Sequence, residues 1–239
     1  MNMTANHGAR ETILRKLRTG MPERPLPQPD LSPYLRGPFG VGSVGARPDP
    51  VGLLDTFEAA ALGWRAEIHR STPQHCMEVV RNVLLQKKCA SIATGSPQWS
   101  PPGWRATLDG FQWTQFDAST DAWKTVLFDK IDASITQAVA AVADTGSLVL
   151  KPGPQEPRSL SLVPPVHVAL VRASALYASL PAAMAALHPQ SDMPTNLLLV
   201  TGPSKTADIQ QTLAYGAHGP KELVIVLVDD LAAQPEPQP

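Results

Sequence analysis

The residues best suited to bind an anion lie in segment 201–220, which is polar and enclosed by two aliphatic runs. Gly202 allows the main chain to approach a ligand closely. The hydroxyl groups of Ser204 and Thr206 and the ammonium group of Lys205 follow directly. Because this part comes after a strand-like run, we predict a turn into a helix, whose free amide groups complete a site for a small carboxylate or phosphate.

Asp208 adds a carboxylate to the same turn. In the first turn of a helix it favours the helix dipole but repels a bound anion, unless Lys205 offsets it or it acts as a catalytic base. The plainer interpretation is that Ser204 and Thr206 only cap the helix, as hydroxyl residues commonly do. The turn is not a Walker A loop, because a second glycine is missing. Both interpretations of residues 202–208 stay open.

The far end of the segment carries His218, a candidate binding residue that could titrate near neutrality. Gly216 stands where the predicted helix would end in a left-handed cap. A helix of about 11 residues is roughly 16 Å long, which would place Ser204 and His218 at opposite edges of a sheet. The two share a site only if the topology is unusual or if a second subunit brings them together.

A third polar group consists of Asp144, Thr145 and Gly146, just before an SLVL run. One interpretation is a helix over 134–143 that ends at Gly146. The other is a hairpin that joins 139–143 to the SLVL run and carries Asp144 into a cleft as a second candidate catalytic carboxylate.

Four aliphatic runs indicate the elements that position these residues: 147–150, 166–171, 196–200 and 223–228. Continuous apolar strands are typical of a parallel sheet that helices cover on both faces. About two dozen residues separate the last two runs, enough for a crossover that includes one helix. The fold class is therefore α/β with a mostly parallel sheet.

His167, within the run 166–171, has an ambiguous role, because on a buried strand such a residue is more often a core histidine.

The first half of the chain alternates helices and strands. Asp49-Pro50 is typical of a helix start, 64–69 and 89–94 resemble strands, and the spacing of apolar residues from Cys76 onward predicts a helix between them. A further helix is predicted over 121–128.

The chain divides into three predicted parts. Residues 1–48 form a helical arm, centred on Ala9–Arg18, and a proline-rich linker; residues 49–231 form the α/β domain; residues 232–239 form a disordered tail.

Composition excludes several classes of protein. The 239 residues carry a formal net charge of −1, without the basic surface that nucleic-acid binding needs. No apolar run is long enough for a membrane span, and the first residues lack a signal-peptide core, so we expect a cytoplasmic protein. Cys76 and Cys89 are predicted to be buried, and two thiols are too few for an iron–sulfur cluster. We predict no metal site and no cofactor in this chain.

Three stretches, 132–150, 159–171 and 197–228, together resemble the lactate utilization protein C family, whose shared unit is the LUD domain. The resemblance is most specific in the last stretch. Ser134, Val139 and Asp144 depart from the residues usual in that family. The family's motifs fall on Thr145 and Gly146, on Gly202, Pro203, Ser204, Thr206, Ala207 and Asp208, and on Gly216, His218, Gly219 and Pro220.

The resemblance implies a fold of the sugar-phosphate isomerase and CoA-transferase group. It also implies a role in oxidising L-lactate to pyruvate, beside partner proteins that carry iron–sulfur clusters. The alternative function is that of a self-sufficient isomerase or transferase acting on a phosphate- or CoA-bearing substrate, with Asp144 or Asp208 as its base.

Overall fold

The computed structural model describes residues 4–20, 50–95, 103–116, 122–187, 194–207, 213–216 and 218–231. The helices are α1 (Thr4–Gly20), α2 (Pro50–Gly63), α3 (Cys76–Gln86), α4 (Trp104–Thr107), α5 (Ala122–Lys130), α6 (Arg158–Leu162) and α7 (Leu180–Leu187). The strands are β1 (Glu67–Ser71), β2 (Ser91–Thr94), β3 (Gln112–Gln115), β4 (Ala133–Gln137), β5 (Ala140–Val142), β6 (Ser147–Leu150), β7 (Val166–Arg172), β8 (Leu176–Tyr177), β9 (Leu198–Val200), β10 (Lys205–Ala207), β11 (Leu213–Tyr215) and β12 (Glu222–Val228).

Six strands form the main sheet, in the order β1-β12-β7-β4-β2-β3, and every neighbouring pair is parallel. The predicted runs 166–171 and 223–228 are the adjacent strands β7 and β12, whose apolar side chains are buried. The prediction of an α/β fold with a mostly parallel sheet is confirmed. Its relation to the sugar-phosphate isomerase and CoA-transferase group stays a prediction.

The other two aliphatic runs, 147–150 and 196–200, belong to a second sheet of order β8-β5-β6-β9. In this sheet β6 pairs antiparallel with both β5 and β9. The expectation that all four runs share one parallel sheet was wrong, because an aliphatic run reports burial on both faces and not the direction of pairing. The β5–β6 hairpin confirms one of the two interpretations of 139–150, and the helix over 134–143 is not formed.

The segment after β9 also differs from the prediction. Strands β10 and β11 pair antiparallel, with Lys205 opposite Tyr215, so no helix begins at Ser204. The Ser204 amide donates to the carbonyl of Pro220, and its carbonyl accepts from the amide of Gly216. These bonds turn the chain back at once, and a helix start at Ser204 is incompatible with them. Residues 208–212, including Asp208, and residue 217 lie outside the described residues.

The main sheet is covered differently on its two faces. On one face, α3 packs on side chains such as Ile135, Val168 and Val224. The opposite face has two separate blocks. One contains α2 and the second sheet, and the other contains α5 and α6, which pack against Ala93 of β2.

Edge strand β1 carries a group of charged side chains. Arg70 donates hydrogen bonds to the carboxylates of Glu58 and Asp55 on α2. These bonds raise the pKa of Arg70 above its usual range, because their effect exceeds the opposite effect of its slight burial. Farther along the same strand, Glu67 pairs with Lys87, which follows α3.

The predicted arm is helical, since α1 includes Ala9–Arg18, and α2 begins at Pro50 as expected. The linker over 21–48 and the tail over 232–239 lie outside the described residues. None of the helices in the described ranges is long and apolar enough to cross a membrane.

Replacing Gly146 with alanine should destabilise the fold by at least about 2 kcal/mol. Gly146 has a φ of 64°, and an added Cβ would lie 2.4 Å from the main-chain nitrogen of Ala61 in α2. Urea unfolding measures the effect. Gly153→Ala is the matched control, because an added Cβ there meets nothing within 4 Å. Equal stability of the two variants would contradict the packing of the hairpin tip on α2.

Candidate functional site

Two of the predicted binding segments, 144–146 and 202–208, meet where the second sheet contacts α2. Because β6 and β9 pair antiparallel, Leu148 lies opposite Val200, and the tip of the β5–β6 hairpin comes next to the loop after β9. The hydroxyl groups of Ser147 and Thr201 are 2.6 Å apart. Gly202 then crosses the end of α2 with a φ of 81°, where an added Cβ would lie 2.5 Å from the carbonyl oxygen of Trp64. This close approach explains why glycine is needed at position 202.

The predicted binding segment 216–220 also packs against this group. A Cβ on Gly219 would lie 3.1 Å from the Cβ of Ser204, so the 216–220 loop packs directly on Ser204. Sequence reasoning on a simple crossover placed Ser204 and His218 at opposite edges of a sheet. The β10–β11 hairpin supplies the unusual topology instead, because it returns the chain to its starting point. His218 is exposed in this loop.

The predicted mechanism of anion binding at 202–208 needs correction. It depended on free amides at a helix start, but Lys205–Ala207 is a strand and the amide of Ser204 is already bonded to Pro220. Ser204 is half-buried and Lys205 is exposed. For Thr206, the main chain lies in β10, while its side chain is outside the described part of the structure.

A hollow of about 230 Å³ lies beside the loop, at the amino ends of β1 and β12. It is lined by both cationic and anionic side chains, with Pro203 at one wall: Arg65, Glu67, Pro203, Lys221, Glu222 and Leu223. Because Pro203 belongs to the predicted binding segment, this hollow is a candidate place for a small ion.

Lys87 connects the two carboxylates of the hollow. Its ammonium nitrogen is 2.6 Å from Glu67 Oε2 and 2.5 Å from Glu222 Oε2. Burial would lower the pKa of Lys87, but the hydrogen bonds to Glu222 and Glu67 outweigh burial and raise it. Burial would likewise raise the pKa of Glu67, and the bonds to Lys87 and His69 lower it. Lys87 thus offsets one of the two carboxylate charges of the hollow, to which Lys221 contributes a further positive charge.

The residues at the hairpin tip differ in exposure. Asp144 and Thr145 are exposed, whereas Gly146 is buried against α2. The main-chain amide of Asp144 donates to the carbonyl of Ala178, and its side chain is exposed. The catalytic role of Asp144 stays a prediction, as does the role of Thr145.

His167 lies in the core, fully buried, as expected of a histidine on a buried strand. Its Nε2 is 2.7 Å from the hydroxyl of Thr136 on β4. Burial lowers the pKa of His167 to about 4, so the ring is neutral at pH 7. Its Nδ1 and the hydroxyl of its cross-strand neighbour Ser134 are buried without a protein partner.

Both cysteines are buried, as predicted. Burial raises the pKa of both thiols, to about 11 for Cys89. Within the described residues, no three side chains of His, Cys, Asp and Glu form a group that could hold a metal ion.

Sequence reasoning missed Glu156, a half-buried glutamate in the irregular loop between β6 and α6. Burial raises its pKa to about 7, against the opposing effect of a hydrogen bond from the main chain of Gln137. No local pattern in the GPQEP sequence marks this glutamate, because its burial depends on strands β2 and β4, which are distant in the chain.

Comparison with known proteins gives a consistent result. The sequence profile of the LUD domain matches residues 103–228. An uncharacterized protein of Neisseria meningitidis is 40% identical over 92% of this chain and 93% of its own length. Lactate utilization protein C of Oceanobacillus iheyensis is 26% identical over 74% of this chain and 80% of its own. The protein of that name from Macrococcus caseolyticus is 32% identical over 51% of this chain and 53% of its own.

A solved structure shows the same fold. The crystal structure of a DUF162 family protein from Deinococcus radiodurans superimposes with a TM-score of 0.54 at 18% identity. The superposition covers 76% of this chain and 99% of that one.

Glu156→Gln should change how stability depends on pH. The native pKa of Glu156 is raised from 4.5 to about 7, so its ionisation disfavours the fold progressively as the pH rises between these values. The variant has no carboxyl group at position 156, so it does not lose stability in this way as the pH rises. Relative to the wild type, its free energy of unfolding should therefore rise by roughly 3 kcal/mol from pH 4.5 to pH 7 and then level off.

Urea unfolding at several pH values tests this expectation. Glu78→Gln, at an exposed glutamate of α3, is the matched control and should show no such trend. A constant difference between Glu156→Gln and the wild type across this range would show that the carboxyl group is not buried in solution.

Proposed function

Because the chain belongs to the LUD domain family, which matches more than half of its length, we propose that it is a component of an L-lactate utilisation system. The observation that carries the proposal is its similarity, over about three quarters of the chain, to proteins named Lactate utilization protein C. In this role it acts in the cytoplasm, beside iron–sulfur partner proteins, in the oxidation of L-lactate to pyruvate.

The proposal assigns electron transfer to the partners. Oxidation of lactate releases two electrons and two protons, which need an acceptor. An iron–sulfur cluster is held by about four thiolates, whereas this chain has two cysteines, both buried and with raised pKa values. The chain would therefore contribute binding and positioning, with the clusters in the partner proteins.

The binding site that we propose is the hollow beside Pro203, for a small carboxylate or phosphate. Three features support it: Pro203 of the predicted 202–208 segment lines it, the cationic side chains of Lys221 and Arg65 line it, and Lys87 offsets one of its two carboxylate charges. Ser204 would fix the loop through its main chain and offer its hydroxyl to the ligand. An anion in this hollow would be held by charge and hydrogen bonds, without the helix start that the sequence suggested.

Calorimetric titration of the purified chain with L-lactate, pyruvate, phosphate and CoA tests this site. Ser204→Ala and Lys221→Ala should each weaken binding by about 1–3 kcal/mol, because each removes one donor to the anion. Lys205→Ala shows whether the neighbouring exposed lysine takes part. Lys151→Ala, at an exposed lysine on another loop, is the control and should leave affinity unchanged. Unchanged affinity in Ser204→Ala and Lys221→Ala would exclude the hollow.

Deletion of the gene in its native host tests the cellular role. Growth with L-lactate as the sole carbon source should be lost and should return when the wild-type gene is restored, whereas growth on pyruvate should continue. Normal growth of the deletion strain on lactate would contradict the proposal. Turnover of a phosphate- or CoA-bearing substrate by the isolated chain would instead favour the isomerase or transferase alternative.

A further inference from the structure

The hollow beside Pro203 has walls of both charges. Lys221 lines it with an ammonium group, whereas Glu67 and Glu222 line it with carboxylates. A site for a bare anion needs donors alone, because a carboxylate only accepts hydrogen bonds and repels negative charge. The hollow therefore suits a ligand that carries both an anionic group and a hydrogen-bond donor. Its volume of about 230 Å³, against about 30 Å³ for a water molecule in the liquid, leaves room for an acid of three carbons.

The loop before β12 positions the cationic wall. The main-chain amides of Lys221 and Glu222 both donate to the carbonyl of Pro165, at 2.8 and 3.1 Å, which fixes where their side chains begin. A Cβ on Gly216 would overlap the Cγ of Lys221, so the aliphatic part of this lysine passes across the glycine. These contacts hold Lys221 at the wall of the hollow.

Lys87 positions the acidic wall. Its ammonium nitrogen binds Oε2 of Glu67 and Oε2 of Glu222, and only 13% of the Lys87 side chain is exposed. The second oxygen of Glu67 is 2.7 Å from Nε2 of His69. In the part of the chain that the structure describes, Oε1 of Glu222 has no such partner. Glu222 is therefore the carboxylate with an oxygen left to accept a hydrogen bond from a ligand.

Two classes of small acid differ at the atom that would meet Glu222. A 2-hydroxy acid and a 2-oxo acid share a carboxylate, which can accept from the ammonium group of Lys221. The hydroxyl on the next carbon of the hydroxy acid can also donate to Glu222, in a charge-assisted hydrogen bond. A ketone oxygen at the same place only accepts, so it would meet the carboxylate of Glu222 without a hydrogen between them.

We propose that Glu222 is a specificity-determining residue, which makes the hollow selective for 2-hydroxy acids over 2-oxo acids. The inference rests on the proposed function, because it concerns the choice of ligand in the same hollow. Lys221 binds the carboxylate of either acid, and Glu222 binds the hydroxyl of the hydroxy acid alone. In a lactate-oxidising system this difference retains L-lactate and releases pyruvate, which lacks the hydroxyl hydrogen.

Titration calorimetry of the full chain with L-lactate, propionate and pyruvate tests the proposal. The wild type should bind L-lactate about 10-fold more tightly than pyruvate, since one hydrogen bond to a charged group separates them. Propionate, which has neither a hydroxyl nor a ketone, should lie between the two. In Glu222→Gln the side-chain amide can accept from a hydroxyl or donate to a ketone, so the affinities for L-lactate and pyruvate should fall within about 2-fold of each other.

Glu67→Gln is the matched control, because Glu67 also lines the hollow and binds Lys87 but has both oxygens engaged. It should keep the preference for L-lactate over pyruvate, whatever its effect on the affinity for both. Loss of a structural contact would change the two affinities together, whereas loss of the acceptor at position 222 changes their ratio. Glu222→Ala, at an exposed position, repeats the test if Glu222→Gln does not fold.

Lys221→Ala separates this inference from the proposed site. If it weakens binding of all three acids while the wild type binds L-lactate and pyruvate equally, the hollow stands and the selectivity is overturned. An unchanged ratio in Glu222→Gln, or a loss of preference in Glu67→Gln equal to that in Glu222→Gln, overturns the selectivity too. If Lys221→Ala leaves all three affinities unchanged, or if no acid binds to the wild type, the hollow is excluded and the selectivity falls with it.

Discussion

The arrangement of the predicted binding segments depends on two main-chain hydrogen bonds of Ser204. Its amide binds the carbonyl of Pro220 and its carbonyl binds the amide of Gly216, so the chain that leaves the second sheet returns to the same place. The main-chain amides of Lys221 and Glu222, which follow Pro220, donate to the carbonyl of Pro165, and β12 begins there beside β7. One small closed loop thereby fixes both the polar cluster and the register of a central strand.

Two buried titratable groups give the molecule opposite responses to acid. His167 is neutral because burial lowers its pKa to about 4, so protonation of the unfolded chain below its ordinary pKa disfavours the fold. Glu156 is held partly protonated because burial raises its pKa to about 7, so acid favours the fold. The two responses oppose each other over a similar range of pH. Both groups lie at the main sheet, one on a central strand and the other at the carboxyl ends of β2 and β4.

The sequence was informative where local chemistry decides the structure. Pro50 marks the start of α2, and the alternation of helices and strands predicts the α/β class. Burial alone does not reveal strand direction, so the aliphatic runs of β6 and β9 do not predict their antiparallel pairing in a second sheet. The helix predicted at Ser204 does not form, because the amide of Ser204 instead donates to the carbonyl of Pro220, which lies 16 residues later in the chain. Glu156 is not recognisable in the sequence for the same reason, since its neighbour Gly95 follows β2, about 60 residues earlier in the chain.

The charged side chains along β1 bear on how the protein behaves at high concentration. An edge strand presents unpaired main-chain groups to which a strand of another molecule can add. Arg70 of β1 engages carboxylates of α2, and Glu67 of β1 engages Lys87, so a second molecule would have to displace these ion pairs to add a strand there. This barrier protects the sheet from open-ended growth into fibres.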